Sequence, residues 1–401
     1  MKVKIDRFND TGEGIGIIDK QVIFVPKTIP GDIVKIKNIK KYKNYIRGSI
    51  DSFIEYSDLR EKAQCPYFNS CGGCQIMNIN YYNQLEYKKN KVINIFKKYG
   101  NIDINPIIIS DKQYKYRNKI TLEVRNGKIG LNKFHSHDTV NIDKCLLVSD
   151  NINEIIKIIK DNLNLTAITK IMIRESTNKD IMIVFYGNID IDKTKKILKD
   201  KVESCYINDK LIKGNKYIKT KLGKYIYTLS ANSFFQVNYH MTIKLYDKIL
   251  EYLDNSYNTM DLYCGTGSIG IYISNKVNSI LGVEIVKDAI ENANINKKIN
   301  SIENISFKCG DVEKIINSND NYDTIIIDPP RAGLSKKTRN TLLDIESNKI
   351  IYVSCNPMTL IRDIKHLAVK YEFKEITLFD LFPNTYHVEC VALLCLKTLE
   401  K

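Results

Sequence analysis

Along the first 58 residues the apolar positions come in short runs, Val22 to Val25, Ile33 to Ile39 and Tyr45 to Ile50, divided by the turn signals Gly12-Glu13-Gly14 and Pro30-Gly31-Asp32. Short strands broken by glycine and proline turns predict a small β-barrel. From Tyr81 to about Lys98 the period lengthens: Tyr82, Leu85, Val92, Ile93, Ile95 and Phe96 predict an amphipathic helix that carries many basic residues. Alternating segments at Ile120 to Val124, Lys170 to Ile173 and Ile181 to Phe185 predict a mixed α+β middle region built largely on an antiparallel sheet. Beyond about His240, apolar strands at Thr259 to Leu262, Ile280 to Val283, Ile305 to Lys308, Thr324 to Ile327 and Ile350 to Val353 alternate with helix-like stretches, the layout of a doubly wound, Rossmann-like α/β sheet. The expected organisation is three units, 1–58, 59–239 and 240–401, with the segment Met77 to Ile108 packing on the last of them. No internal repeat or low-complexity linker interrupts this order.

Composition adds a partner class. The 401 residues carry a formal charge of +15, which favours an anionic partner because Lys and Arg neutralise phosphates. The surplus is clustered: Gln84 to Lys133 holds 12 Lys or Arg against 4 Asp or Glu, which points to a nucleic-acid-binding face. Charges in Met1-Lys2-Val3-Lys4-Ile5-Asp6 replace the apolar run of a signal peptide, and no stretch is long enough to span a membrane, so a soluble, cytoplasmic protein is expected. Ten cysteines in such a setting do not form a disulfide framework.

Candidate chemistry begins at Asp261-Leu262-Tyr263-Cys264-Gly265-Thr266-Gly267-Ser268-Ile269-Gly270, a glycine turn directly after a strand. A dinucleotide-binding dehydrogenase fits the same letters. The neighbouring carboxylates argue otherwise: Asp261, Glu284 and Asp311 close successive strands, and acidic groups there suit ribose hydroxyls, an adenine amino group and a cationic centre better than a pyrophosphate. That ligand looks like S-adenosylmethionine. The stretch resembles class I methyltransferases, and the resemblance implies that Tyr263, Gly265, Glu284, Asp311 and Asp328 line the cofactor. Further on, Cys355 in Ser354-Cys355-Asn356-Pro357 follows the strand-like run Ile350 to Val353 and lies downstream of Asp328-Pro329-Pro330-Arg331, placing a thiol where covalent chemistry on a base is feasible.

Four blocks in order, Phe234-Phe235-Gln236-Val237-Asn238, Asp328-Pro329-Pro330-Arg331-Ala332-Gly333, Ser354-Cys355-Asn356-Pro357 and His387-Val388-Glu389-Cys390, resemble the RNA uridine-C5 methyltransferase family over nearly the whole chain. Residues 14 to 41 similarly resemble the TRAM domain, an OB-like RNA-binding barrel. The chemistry accounts for the residue types. Uracil C5 is a poor nucleophile, so a thiolate adds first to C6, and a base must later remove the C5 proton before sulfur leaves. The resemblance implies Cys355 as the nucleophile, Glu389 as the base, Phe234 stacking on the target base, Gln236 contacting the cofactor and Arg331 steadying a ring oxygen or phosphate. The uridine must then leave its stack. Enzymes methylating amino nitrogens commonly place an aromatic after the proline pair, where this chain has Arg331. Cytosine-C5 enzymes carry a cysteine directly after the corresponding proline. A NAD-linked oxidoreductase and a non-catalytic RNA-binding protein are the rival classes.

Cys65, Cys71, Cys74 and the distant Cys145 offer four thiolates, enough for a cubane iron-sulfur cluster or a structural zinc. The family resemblance implies a [4Fe-4S] cluster, because the ribosomal RNA branch carries one at matching positions while the transfer RNA branch lacks both cluster and TRAM domain. Its expected role is to staple the middle unit and present RNA-contacting loops, including the basic segment through Arg125. The expected product is 5-methyluridine in 23S ribosomal RNA, made by a monomer, with transfer RNA as the alternative substrate.

Overall fold

The computed structural model describes residues 1–97, 100, 103–253, 257–317 and 319–398. The chain opens with a closed five-stranded barrel in the order Lys2–Phe8, Gly14–Ile18, Gln21–Val25, Tyr45–Glu55, Ile33–Lys41. Val3, Ile5, Ile23, Val25, Val34, Ile36 and Ile46 fill it. The first two strands have no counterpart among the expected ones. Lys2–Phe8 alternates Lys out and Val or Ile in over only two buried positions, and Gly14–Ile18 is glycine-rich because neighbours press on it. A Cβ at Gly14 would lie 2.0 Å from the Thr28 hydroxyl oxygen, and one at Gly16 2.4 Å from the Lys4 carbonyl oxygen. Both glycines are therefore required for barrel closure.

The middle sheet runs Lys210–Gly214, Ser204–Ile207, Ile181–Gly187, Ile168–Glu175, Lys119–Arg125, Lys128–Asn132, Thr139–Asn141. Its pairs are antiparallel except that Ile181–Gly187 and Ser204–Ile207 run parallel. The helix Asp150–Asn162 covers it by burying Ile152, Ile155, Ile156 and Ile159, one stripe at helical spacing. The hairpin Ile218–Leu222 and Tyr225–Leu229 then packs into the same core as the helix Tyr239–Tyr252.

The carboxy-terminal sheet has the order Ile305–Cys309, Ser279–Glu284, Asn258–Leu262, Thr324–Ile327, Lys349–Ser354, Glu389–Leu396, Tyr371–Phe379. The first five are parallel, and the central Thr324–Ile327 and Lys349–Ser354 are covered on both faces and nearly all apolar, whereas the edge strand Ile305–Cys309 is largely exposed. The last two are antiparallel additions.

The helix Tyr81–Phe96 does pack on this third unit: Val92, Ile95 and Phe96 join its core, and Ile104 and Ile108 bridge to Ile376 and Phe379 along the sheet edge. The expected helix end near Lys98 lies outside the described residues. Its basic character is partly structural and not all RNA-facing. Lys88 is 0% exposed and pairs with buried Asp380 at 2.5 Å, a tertiary partner that periodicity does not reveal. Among the described residues no helix is long and apolar enough to cross a membrane.

Candidate active site

The glycine turn follows the strand Asn258–Leu262. Tyr263, Gly265 and Gly267 all take positive φ, at 63°, 54° and 74°. An added Cβ at Gly265 would meet nothing within 4 Å, so the turn faces open space. The Glu284 carboxylate accepts from the Gly265 N–H at 3.2 Å and the Val286 N–H at 2.9 Å, which fixes it at the end of its strand beside that space. Asp311 caps a short helix through the Glu313 N–H at 3.1 Å. The Tyr263 hydroxyl is raised by burial, with the nearby carboxylates of Glu313 and Asp311 adding to the effect, so Tyr263 and Asp311 share one neighbourhood.

Beneath the turn Asp261 is fully buried. One of its oxygens accepts from the Gly270 N–H at 3.1 Å and the other has no partner. Burial raises its carboxyl to about 7, and burial does the same to Asp328. Thr266 Oγ1 is likewise buried and unpartnered.

Sheet pairing brings the candidate thiol and carboxylate together. Ser354 pairs with Cys390 across the antiparallel strands Lys349–Ser354 and Glu389–Leu396, and Cys355, the first residue beyond the paired strand, lies near enough to Glu389 for that carboxylate to raise its thiol. Cys355 also lies just before the helix Pro357–Leu367, whose N-cap Asn356 accepts from the Met358 N–H at 3.1 Å. The Asn356 amide and the Thr359 hydroxyl both donate to the Arg331 carbonyl, at 3.1 and 3.3 Å, tying the Asp328 to Gly333 loop to the thiol loop. Arg331 Nη2 sits 3.3 and 3.4 Å from the two ring nitrogens of His387.

The electrostatics link the same residues. Burial pushes the Cys355 thiol up to about 11, Glu389 and Asp328 add to it, and Arg331 opposes. Burial holds Glu389 well above the usual carboxylate range, again with Asp328 adding and Arg331 opposing. Cys355, Glu389, Asp328 and Arg331 therefore form one coupled group.

Sequence reasoning missed the residues that hold this group. Asp363, fully buried, accepts from the Leu334 N–H and the Tyr352 hydroxyl at 2.8 Å, and from Arg339 and Arg362 at 2.5 and 2.9 Å. Arg174, 1% exposed, donates to the carbonyls of Ser230 and Ser233 and so fixes the loop that presents Phe234. Asn118 donates to the Gln236 and Val237 carbonyls in that loop. Phe234 itself is 68% exposed. Apart from Arg362, which adjoins Asp363, these partners lie eleven or more residues from their targets, and no short motif could announce them.

A second site lies in the middle unit. Cys65, Cys71, Cys74 and Cys145 line one cavity of about 340 Å³, which extends to Phe234, Phe235 and Val237. Cys71 Sγ accepts from the Gly73 N–H at 3.3 Å. Lys27, reaching out of the barrel, donates to the Cys71 and Cys74 carbonyls at 3.1 and 2.5 Å, and its ammonium lies 4.1 Å from the centre of the Phe68 ring. Among the described residues no group of three or more His, Cys, Asp or Glu side chains forms a set that could hold a metal ion.

Comparison with known proteins agrees with this architecture. The tRNA (uracil-5-)-methyltransferase family matches residues 80–318 and 309–397, and the TRAM domain matches 1–50. An uncharacterized RNA methyltransferase of Clostridium acetobutylicum is 34% identical, covering 98% of this chain and 96% of its own. One of Fusobacterium nucleatum is 35% identical, covering 98% and 95%. The crystal structure of Pyrococcus abyssi tRNA (uracil-54, C5)-methyltransferase in complex with S-adenosyl-L-homocysteine superposes with a TM-score of 0.81 at 28% identity, over 98% of this chain and 100% of that one. That overlap takes in most of the barrel, so a barrel does not by itself separate ribosomal from transfer RNA enzymes as the resemblance implied. Barrel, glycine turn and thiol–carboxylate pair all fall within the matched regions, and the chain belongs to the tRNA (uracil-5-)-methyltransferase family.

Proposed function

We propose that this protein transfers a methyl group from S-adenosylmethionine to C5 of a uridine in RNA through a transient bond between Cys355 and C6. The observation that carries this reading is the strand pairing of Ser354 with Cys390, which brings the adjacent Cys355 and Glu389 near one another, beside Arg331 and Asp328. The open left-handed turn at Gly265, the fixed Glu284 carboxylate and the unpartnered Thr266 Oγ1 fit a nucleoside with a cationic centre. Tyr263, Gly265, Glu284, Asp311, Asp328 and Gln236 hold it in this reading. When bound, S-adenosylmethionine supplies an electrophilic methyl group.

The residues of the chain do the rest. Exposed Phe234 offers a face for a base drawn out of its stack. Cys355 gives up its thiol proton to solvent, the thiolate sulfur adds to C6, and the electron pair displaced from C5=C6 makes C5 nucleophilic. Once C5 is methylated, Glu389 takes its proton. The C–H pair restores C5=C6, and the C6–S bond breaks with its electrons returning to sulfur. Arg331 favours the ionised forms of both Cys355 and Glu389, and it steadies charge on the ring or an adjoining phosphate.

The chemistry of four thiols lining one cavity supports a [4Fe-4S] cluster held by Cys65, Cys71, Cys74 and Cys145 in this reading, although these side chains, all among the described residues, do not stand as a metal-holding set in this structure. Methyl transfer consumes no electrons, so its part is to fix loops against Phe235 and Val237. The same constellation favours 23S ribosomal RNA as substrate. Likeness to the Pyrococcus enzyme supports transfer RNA as the second reading. A cytoplasmic monomer completes the proposal.

Incubation with 5-fluorouridine RNA and S-adenosylmethionine tests it, because fluorine at C5 cannot be removed as a proton. The expected result is a denaturation-resistant complex mapped to Cys355, formed by wild type and not by Cys355→Ala. Binding of both ligands with no complex would leave a non-catalytic RNA-binding protein instead.

A further inference from the structure

We infer that Asn384 is a positioning residue for proton removal, clasping the loop that delivers Glu389 to the amino-terminal helix and to the segment after Cys74. The inference rests on the reading of Glu389 as the base. The loop from Asp380 to Val388 joins the two antiparallel strands Tyr371–Phe379 and Glu389–Leu396, and Asn384 at its tip is 1% exposed with φ of 70°. Asparagine is one of the few side chains that takes this left-handed conformation readily.

All the polar groups of Asn384 are used. Its N–H donates to Gln84 Oε1 at 2.8 Å, and its Oδ1 accepts from Gln84 Nε2 at 3.3 Å, a two-bond clasp onto the helix Tyr81–Phe96. Its Nδ2 donates to the Gln113 carbonyl at 2.8 Å. Its own carbonyl accepts from the Gln75 and Ile76 N–H groups at 3.1 and 3.2 Å, directly after Cys74. One buried residue thereby joins three separate stretches of chain.

A short path leads from Asn384 to the reacting centre. The Thr385 hydroxyl donates to the Phe382 carbonyl at 2.8 Å and accepts from the His387 N–H at 3.3 Å. The His387 ring meets Arg331, and two residues later comes Glu389. Outside donors also hold the neighbouring carbonyls: Asn238 on Leu381, Lys88 on Phe382, Tyr116 on Pro383 and Lys91 on Tyr386. A loop so completely satisfied from outside has its course dictated by those elements. The loop carries Glu389 and not Cys355, so loosening it should slow the second half of the reaction selectively.

The test uses Asn384→Gly, which keeps the left-handed backbone and deletes the amide, and Gln84→Met, which leaves Asn384 intact and removes the clasp. With 5-fluorouridine RNA both should form the Cys355 complex within about 3-fold of the wild-type rate. With ordinary uridine RNA, release should slow by about 10-fold or more, so that methylated complex accumulates on denaturing gels. Glu389→Gln is the control. If it accumulates complex while both other variants release normally, or lose both steps in equal proportion, the inference about Asn384 is overturned. If Glu389→Gln itself releases normally, the reading of Glu389 falls first and takes this one with it. Gln84→Met carries the test if Asn384→Gly folds poorly.

Discussion

Cys355 lies near Glu389 because their neighbours Ser354 and Cys390 pair across the sheet, and the two share Arg331 as their counter-cation. An acid whose ionised form is disfavoured by burial and by a neighbouring carboxylate keeps its proton, so the free thiol is held in reserve at neutral pH. On the proposed mechanism, bound substrate and Arg331 act together to release it.

The alkylation rate of Cys355 should therefore rise about 10-fold per pH unit from 7 to 10, since only the thiolate reacts. Arg331→Met removes the cation that lowers the thiol and should move the midpoint upward. Glu389→Gln removes the carboxyl whose ionised form raises it and should move the midpoint downward. Peptide-resolved mass spectrometry after timed iodoacetamide treatment reads all three, and a rate flat between pH 6 and 9 would show a thiolate already formed.

Asp261 makes stability pH-dependent. Its folded-state carboxyl titrates near 7 against an ordinary 3.8, so between those values the folded chain holds a proton that the unfolded chain has lost. Stability should consequently decline as pH rises from about 4 to 7, by an amount on the order of 2–4 kcal/mol at most. Asp261→Asn should reduce the slope of that part of the profile and leave the share that Asp328, raised likewise, contributes, as followed by chemical denaturation across the range. An unchanged slope would mean that the carboxylate is ionised in the folded protein.

Lys88 and Asp380 form a buried ion pair that docks the amino-terminal helix on the third unit. Lys88→Met alone should cost about 3–5 kcal/mol because it strands a buried carboxylate. Adding Asp380→Asn should restore at least half of the loss. A double-mutant cycle by denaturant titration checks this, and simple additivity would show that the two side chains do not depend on one another.

Protein purified without oxygen should be brown and contain about four iron atoms per chain. Cys74→Ser should lose the colour and become more susceptible to proteolysis between residues 60 and 80. A colourless wild-type protein with one equivalent of zinc would replace the cluster with a structural ion.

The central parallel strands are legible in the sequence because Thr324 to Ile327 and Ile350 to Val353 are short, nearly all apolar and flanked by turn chemistry. The four motif blocks are legible because each is local. What stays hidden depends on pairing between distant segments. Nothing along the chain announces the terminal antiparallel strands as a pair, and sheet pairing, not any motif, brings Cys355 near Glu389. Lys88 reads as part of a basic surface because periodicity ranks a lysine by polarity and cannot see Asp380 nearly three hundred residues away. Asn384 has no signal at all, since its meaning lies entirely in what it touches.

The reach of Lys27 has a practical corollary for anyone shortening the chain. Cutting away the barrel would strip the ammonium from the Cys71 and Cys74 peptide oxygens and leave the face of Phe68 bare. A truncated protein begun after the first unit thus has an injured sulfur loop, and weakened activity in it would say little about how the missing module grips RNA.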